Sequence, residues 1–531
     1  MGRRGLEIYM AWGEDGLSDK MGLLQTVGLL VLLGFVVGLE DRPIQVVQLV
    51  PEDEGQLLEL VKLYETGDLD FWRAPTKINE TVDIMVDKRQ KNELGIFVEK
   101  VKIKMKTIVE DLEKMIEEKE GEKNWRIRAL DFLKNGRKDI IDEGKDDFGL
   151  PMKDYHSYDE IVAWMRRIQQ RLPSQARVFS IGKTVEGRDI WGIKLGNPVG
   201  NFSKRVVWID GGIHAREWTA VHTSVYLIYN FVNSILQDDP KLLNVLKEIE
   251  LVIFPVLNPD GYEYTRSDPR NALVRMWRKN RSHERCAVNH RGDRSCCRGV
   301  DLNRNFDYRF AETGTSFHPC SEIFHGAGPF SEPETIAVRN AVLNSDLTGR
   351  ISAFISLHAY SQLWIYPFSN KKQNYPADIG ELKKVAQKAV NAIGKLFGTR
   401  YLYGTGPEII SWNGFILDRS QLIPTARETF DGIFVVLETV AKETEEKRRG
   451  IFRPQVVTSN LVPPRTPVPS NFVPSRTPVV VTPAAVATTR RPMICNDAVT
   501  ECRRWIERSP TICATSRTAM RRQCGLSCGL C

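Results

Sequence analysis

From Leu150 to Arg449 short apolar bursts alternate with amphipathic stretches. "RVVWID", "ELVIFPVLN" and "ISAFISLH" have strand length and are rich in β-branched and aromatic residues. "YDEIVAWMRRIQQRL", "TAVHTSVYLIYNFVNSIL" and "GELKKVAQKAVNAIGKLF" repeat their apolar residues at helical spacing. Bursts without polar alternation are strands covered on both faces, and the helices between them supply the covers, so the chain reads as an α/β fold. In such sheets ligand sites gather where strands end. The polar residues that directly follow each burst are therefore the first candidates for chemistry.

The flanks are organised differently. Residues 46–118 alternate strand-like "VVQLV" and "TVDIMV" with helical "EGQLLELVKLYE" and "KMKTIVEDLEKMIEE", and contain no histidine or cysteine. They read as a small α+β unit whose role is to cover something. Residues 119–149 form a charged connector with a dibasic pair, Arg137-Lys138, exposed and cleavable. Residues 450–494 are rich in Pro and Thr, and "NLVPPRTPV" recurs as "NFVPSRTPV", which reads as an extended spacer. None of the ten cysteines precedes Cys286 and six fall between Cys495 and Cys531, so the tail is a disulfide framework. Met21 to Leu39 carries no charge and is followed by Glu40, Asp41 and Arg42. It reads as a secretory signal core, leading to an oxidising extracellular compartment; a membrane-spanning signal anchor at residues 21–39 is the alternative. The formal charge of +7 is dispersed along 531 residues, which excludes nucleic acid as the expected partner. Asn79-Glu80-Thr81, Asn201-Phe202-Ser203 and Asn280-Arg281-Ser282 are glycosylation sequons.

"GGIHAREW" follows the burst Val206-Val207-Trp208-Ile209. His214 and Glu217 offer a nitrogen and a carboxylate. Catalytic zinc takes such donors, commonly two histidines and one carboxylate, and leaves a position for a water whose pKa falls to about 7. The third donor should also follow a strand, and His358 after "AFISL" does. The remaining histidines fit less well: His222 lies inside a predicted helix, and His156, His283, His290, His318 and His325 lie in connecting sequence. An HxxE taken alone also suits a satisfied polar turn. Between the donors stand "RMWRKNR" (Arg275 to Arg281) and "DLNRNF" (Asp301 to Phe306). Guanidinium groups grip carboxylates bidentately, which points to a substrate with a free C-terminal carboxylate; a solvated basic loop is the alternative.

In order along Tyr155 to Lys447, "HAREW", "NPDGYEYT", "RMWRKNRS", "GVDLNRNF", "PCSEIFHG", "SEPET", "SLHAYSQLWIYP" and "QLIPTARET" resemble the secreted zinc metallocarboxypeptidases of the carboxypeptidase A/B type. The resemblance implies a mixed β-sheet with helices on both faces and one Zn2+ held by His214, Glu217 and His358. Arg278 would polarise the scissile carbonyl, Asn303 and Arg304 would clamp the terminal carboxylate, and Arg216, Arg275 and Tyr360 would line outer subsites. Residues 46–118 become an inhibitory activation peptide, 150–449 the catalytic domain, and the chain a zymogen that an activating protease opens. Peptide or protein C-termini would be the substrates. Cys297 and Cys320 match the family's disulfide, and Cys286 and Cys296 are extra and available to each other. Residues 495–531 resemble the ShKT module, which implies Cys495–Cys531, Cys502–Cys524 and Cys513–Cys528. The Lys-Tyr pair of its channel-blocking members is missing, which leaves docking to an unidentified partner.

One stretch departs from the family pattern. After "YGTGPEII" the family continues through a lid tyrosine, the specificity pocket and a buried strand that ends in the catalytic glutamate. Here Ile409-Ile410 passes directly into "SWNGFILDRSQLIPT", so about thirty to forty positions are absent. The metal ligands are kept, the general base is not found, and Glu408, Glu428 and Glu438 are not placed to replace it. The sheet should be left with unpaired edges. Two functions follow: a carboxypeptidase acting through a zinc-activated water, or a silent zinc-binding homologue that works through its ShKT tail.

Overall fold

The computed structural model describes residues 43–121, 147–288, 294–359, 361–409 and 416–449. The predicted signal segment, most of the connector, the spacer and the ShKT-like tail lie outside them. So do Tyr360 and the junction of Ile410 with Ser411.

The small unit is a four-stranded antiparallel sheet, β1 (Gln45–Val50), β2 (Asp70–Phe71), β3 (Val82–Val86) and β4 (Lys104–Val109), in the order β2-β3-β1-β4. Helices α1 (Glu54–Thr66) and α2 (Lys88–Val101) place Leu60, Leu94 and Val98 in one apolar cluster with Val47, Leu49 and Ile84 of the strands. The expectation of one helix over "KMKTIVEDLEKMIEE" is corrected. Its first six residues alternate exposed and half-buried positions, a period of two, and pair with β1. Only after Asp111, whose side chain accepts from Lys114 N at 2.8 Å, does α3 (Leu112–Glu120) begin.

The large unit is built on β5 (Ala176–Lys183), β6 (Asp189–Leu195), β7 (Arg205–Asp210) and β8 (Ile249–Phe254). The hairpin β9 (Arg285–Val288) and β10 (Arg294–Cys297) stands apart, and β11 (Ile351–Ser356) returns to the sheet. The order is β11-β7-β8-β6-β5, parallel across β11, β7 and β8 and antiparallel beyond, which is the expected mixed sheet. Alternate residues of β7 face opposite layers. Val207 and Ile209 pack with α4 (Tyr158–Arg171) and α5 (Trp218–Leu236), whereas Val206 and Trp208 pack with Ala337 and Val338 of α6 (Pro333–Leu343). Both faces are thus covered, as unalternated apolar strands require.

The β11 side behaves differently from its sequence. A buried strand was expected there, yet β11 is the edge of the sheet and Phe354, stacked on Trp208, is 50 % exposed. Beyond it, β12 (Leu363–Ile365) and β13 (Leu402–Gly404) form a separate two-stranded parallel sheet, with Ile365 43 % and Leu402 55 % exposed. An edge strand normally carries charges or proline on its open side. Here, among the described residues, both edges are unpaired and expose Phe354, Ile365 and Leu402. Helices α7 (Ile379–Phe397) and α8 (Leu422–Arg448) complete this end, with Ile433, Leu437 and Val440 of α8 in the main core.

Candidate active site

Parallel pairing sets β7 and β11 in register, Asp210 opposite Ser356, so both strands end at the same level. Each then delivers a histidine. After Asp210 the chain turns sharply through Gly212 (φ 63°), where a Cβ would come within 2.7 Å of Val221 Cγ2. Glu217 is the residue before α5, but its side chain does not cap the helix. It turns into the site instead. Its Oε1 lies 2.6 Å from His214 Nδ1, and its Oε2 lies 3.1 Å from both His358 Nδ1 and the Ala359 amide, which donates to it. The two Nδ1 atoms are 3.1 Å apart.

This donor set calls for a cation. His214 Nε2 donates to Asp301 Oδ1 at 3.2 Å, which leaves the Nδ1 lone pair facing a carboxylate oxygen. Two lone pairs at that separation repel unless positive charge lies beside them. Burial lowers the His214 pKa, and Arg278 adds to that; burial would lower the His358 pKa too, but the Glu217 carboxylate outweighs it and raises it. Burial would raise the Glu217 carboxyl, but the imidazoles of His214 and His358 outweigh it and hold the group well below the usual carboxylate range. Two imidazole nitrogens and one carboxylate, their ligand atoms within 4.8 Å of one another, suit zinc. Asp301→Asn is expected to weaken zinc binding roughly 10- to 100-fold, the usual cost of removing a group that orients a ligating histidine. Titration against a competing chelator measures it, and unchanged affinity would deny Asp301 that role.

Asp301 also fixes Arg278. Its Oδ2 accepts from Arg278 Nε at 3.1 Å and Nη2 at 2.9 Å, and Arg278 Nη1 stands 3.9 Å from Glu217 Oε1. The loop that carries Arg278 is pinned by Asn280, whose Oδ1 accepts from Val300 N at 2.8 Å. Its Nδ2 donates to Glu332 Oε2 at 2.9 Å and to Glu334 Oε2 at 3.0 Å. Asn280 is fully buried, so the sequon there is not available in the folded protein. Burial pushes the Glu334 carboxyl up to about 7. A folded pKa above the unfolded value stabilises at low pH and ceases to as pH rises through about 7. Thermal midpoints should therefore fall between pH 5 and pH 8, and Glu334→Gln should flatten that fall.

The expected carboxylate clamp lies on a short 3-10 turn, Leu302–Arg304, whose Asn303 amide donates to Asp301 Oδ1 at 3.0 Å. Arg304 is braced by its Nε donating to Gly314 O at 2.7 Å. Arg216 and Arg275 are buried and already paired. Arg216 Nη1 donates to Asp70 Oδ2 at 2.7 Å, and Arg275 grips Glu120 through Nε and Nη2, each at 2.8 Å, above the Trp218 ring. Both carboxylates belong to the small unit. Its Ile44, Val46, Trp72, Leu112 and Ile116 share an apolar cluster with Ala272, Met276 and Ile416 of the large one. Gly67 (φ 73°) approaches so closely that a Cβ would lie 2.5 Å from Ser321 Cβ. The cover expected from sequence therefore sits over the outer arginines.

Three residues in this arrangement were assigned no role from sequence: Asp301, Asp70 and Glu120. Asp301 carried a usable signal, as the lone acid in a burst of Asn and Arg behind an apolar pair. Glu120 lies just beyond the boundary assigned to the unit, and Asp70 stands in a two-residue strand without a pattern. Cys286–Cys296 and Cys297–Cys320 both form, the first across β9 and β10. The tail cysteines Cys495, Cys502, Cys513, Cys524, Cys528 and Cys531, like Tyr360, lie outside the described residues. His222 and His156 are spent on the carbonyls of Met152 and Pro151. Glu408 accepts from Tyr375 Oη and Thr405 N, Glu428 accepts from Thr399, and Glu438 faces the groove between α7 and α8.

Residues 161–413 match the zinc carboxypeptidase family and residues 47–119 the carboxypeptidase activation peptide. Carboxypeptidase A1 of Bos taurus is 31% identical over 441 aligned positions, covering 77% of this chain and 96% of the relative. Carboxypeptidase B of Astacus astacus is 36% identical over 315 positions, covering 54% of this chain and 97% of the relative. Among solved structures, thrombin activatable fibrinolysis inhibitor superposes with a TM-score of 0.60 at 28% identity, over 76% of this chain and 99% of its own. Carboxypeptidase A from Helicoverpa armigera superposes with a TM-score of 0.64 at 23% identity, over 76% and 99%.

Proposed function

The chain belongs to the zinc carboxypeptidases of the A/B type that carry an activation peptide, and from that premise we propose that it is the secreted zymogen of an enzyme removing C-terminal residues from peptides and proteins, in a form that has lost its general base. The carrying observation is the convergence of His214, Glu217 and His358 beside an Arg278 that Asp301 holds in place. Zinc bound by these three residues supplies a Lewis acid and lowers the pKa of a bound water. The remaining work falls to side chains. Arg278, its fork fixed by Asp301, is a preorganised donor for a carbonyl oxygen that gains charge. Asn303 and Arg304 hold the substrate's terminal carboxylate, and Arg216, Arg275 and Tyr360 line the outer subsites once Asp70 and Glu120 withdraw. Cleavage in the connector, residues 119–149, by a processing protease precedes that withdrawal.

The attacking water must also lose a proton. Among the described residues the carboxylates in contact with the histidine pair are Glu217 and Asp301, and both are committed. Two observations support the loss of a segment between Ile410 and Ser411. Among the described residues β11 has no partner on its outer side and leaves Phe354 half exposed, and β12 and β13 pair with each other in a sheet of their own. The transcript sequence across codon 410 tests this directly. A coding segment that restores a strand and a glutamate supports the proposal, and an uninterrupted reading frame in the genome would overturn it. For the polypeptide as it stands, a second reading is a silent zinc-binding homologue acting through its ShKT tail, since the carboxylates that contact the histidine pair among the described residues are committed. The apolar run at residues 21–39 supports export; among the described residues no helix is long and apolar enough to cross a membrane.

A further inference from the structure

We infer that the exported protein carries an N-linked glycan on Asn201 and none on Asn280. The inference rests on the proposed secretion, and the structure separates Asn201 from Asn280 on independent grounds. Oligosaccharide is transferred to a chain that has yet to fold, so the fold acts afterwards as a filter: a sugar on a buried amide blocks folding, and one on a solvent-facing amide is kept.

Asn201 passes that filter. It lies in the loop between β6 and β7 and is exposed, as is Ser203, and Phe202 between them is 66 % exposed. The Asn201 side chain is held by its carbonyl oxygen alone, which accepts from Ser203 N at 3.0 Å and from Ser203 Oγ at 2.7 Å. Among the described residues the amide nitrogen has no hydrogen-bond partner. The backbone beneath is anchored, since Asn201 O accepts from Arg350 Nη2 at 3.0 Å, and the same guanidinium stands 5.6 Å from the centre of the Phe202 ring. A sugar on Asn201 would lie over the open side of that ring, a large apolar surface otherwise left to water. The position also spares catalysis. Asn201 precedes β7 whereas the metal ligands follow it, so the length of the six-residue strand, roughly 20 Å, separates them.

Asn280 fails the filter because both amide hydrogens are given to Glu332 and Glu334 in a fully buried site. Asn79 is exposed, with its backbone in the left-handed region (φ 61°), so the filter does not exclude that sequon. The reaction needs a lipid pyrophosphate-linked oligosaccharide as co-substrate. Asn201 Nδ2 bonds to the anomeric carbon, the bond from that carbon to the pyrophosphate oxygen breaks, the amide proton passes to the transferase, and lipid pyrophosphate leaves.

The test is expression of the full chain behind a supplied cleavable signal in a eukaryotic secretory host, followed by peptide N-glycosidase in H2(18)O and peptide mapping. Asn201 should be recovered as labelled aspartate and Asn280 as unmodified asparagine, and Asn201→Gln should reduce the mobility shift caused by the enzyme by one glycan. Secreted protein bare at Asn201, or glycosylated at Asn280, overturns the inference. Cell-free translation into microsomes reads Asn201 even where export fails, and an unmodified translocated chain there overturns it equally. The same chain with its own residues 1–42 is run in parallel, and its failure to enter microsomes would count against the secretion proposal alone.

Discussion

Freed of its activation peptide, this chain is expected to bind one zinc ion and yet to hydrolyse acyl-dipeptides roughly 10²- to 10⁴-fold more slowly than the same protein with the segment restored between Ile410 and Ser411, the usual contribution of a positioned general base. The binding half of the result follows from a site whose parts are all present. His214 is oriented by Asp301, Glu217 is ionised between two imidazoles, and His358 is delivered by β11. The kinetic half follows from Glu217 and Asp301 being committed, with Glu408, Glu428 and Glu438 bonded or facing elsewhere. Steady-state rates in zinc-buffered solution, taken after circular dichroism shows both proteins folded, give the ratio. Equal rates would mean that another residue takes the proton, and the lost-segment proposal would fail. Restoration should also raise the thermal midpoint, because a strand between β11 and the β12–β13 pair would cover Phe354 and pair two open edges.

The second large effect concerns the activation peptide. Glu120→Ala is expected to weaken its hold on the catalytic domain by roughly 3–5 kcal/mol, the range for stripping one partner from a buried ion pair. Both side chains are almost wholly buried, and Arg275 would keep only the Arg216 carbonyl and the face of Trp218. The cost falls on the docked form, since an undocked Arg275 regains water. Hydrogen exchange on the connector-cleaved protein should show the amides of β2 and α3 losing protection in the variant while those of β7 and β8 keep theirs. Gly67→Ala provides an independent route, because its Cβ would meet Ser321 without disturbing any charge. If both variants kept full protection, the cover would be held by its apolar seam with Ala272, Met276 and Ile416 rather than by the arginines.

Much of the site was legible because a ligand at a strand end leaves a local trace. His214 and His358 each follow an apolar burst, and two parallel strands that share a register bring their ends together. Covered strands, amphipathic helices and the activation unit were legible for the same reason: periodicity records which faces an element buries. "KMKTIV" was misread because its run into "EDLEKMIEE" offers helix and strand periods at once, and only β1 alongside decides between them. The expectation of a buried β11 described the sequence of the strand correctly but not its neighbours.

By itself, then, the sequence determined the α/β alternation with its helical covers and the strand-end metal donors, written in residues close together, while its resemblance to the family implied the mixed sheet and the Cys297–Cys320 disulfide. Tertiary structure alone decided that Asp301 joins His214 to Arg278, that Asp70 and Glu120 occupy Arg216 and Arg275, and that Asn280 is sealed while Asn201 stays open. The reason is physical. A periodic pattern reports the environment of one element, whereas an ion pair joining residues 146 or 155 positions apart depends on how two separately folded surfaces meet.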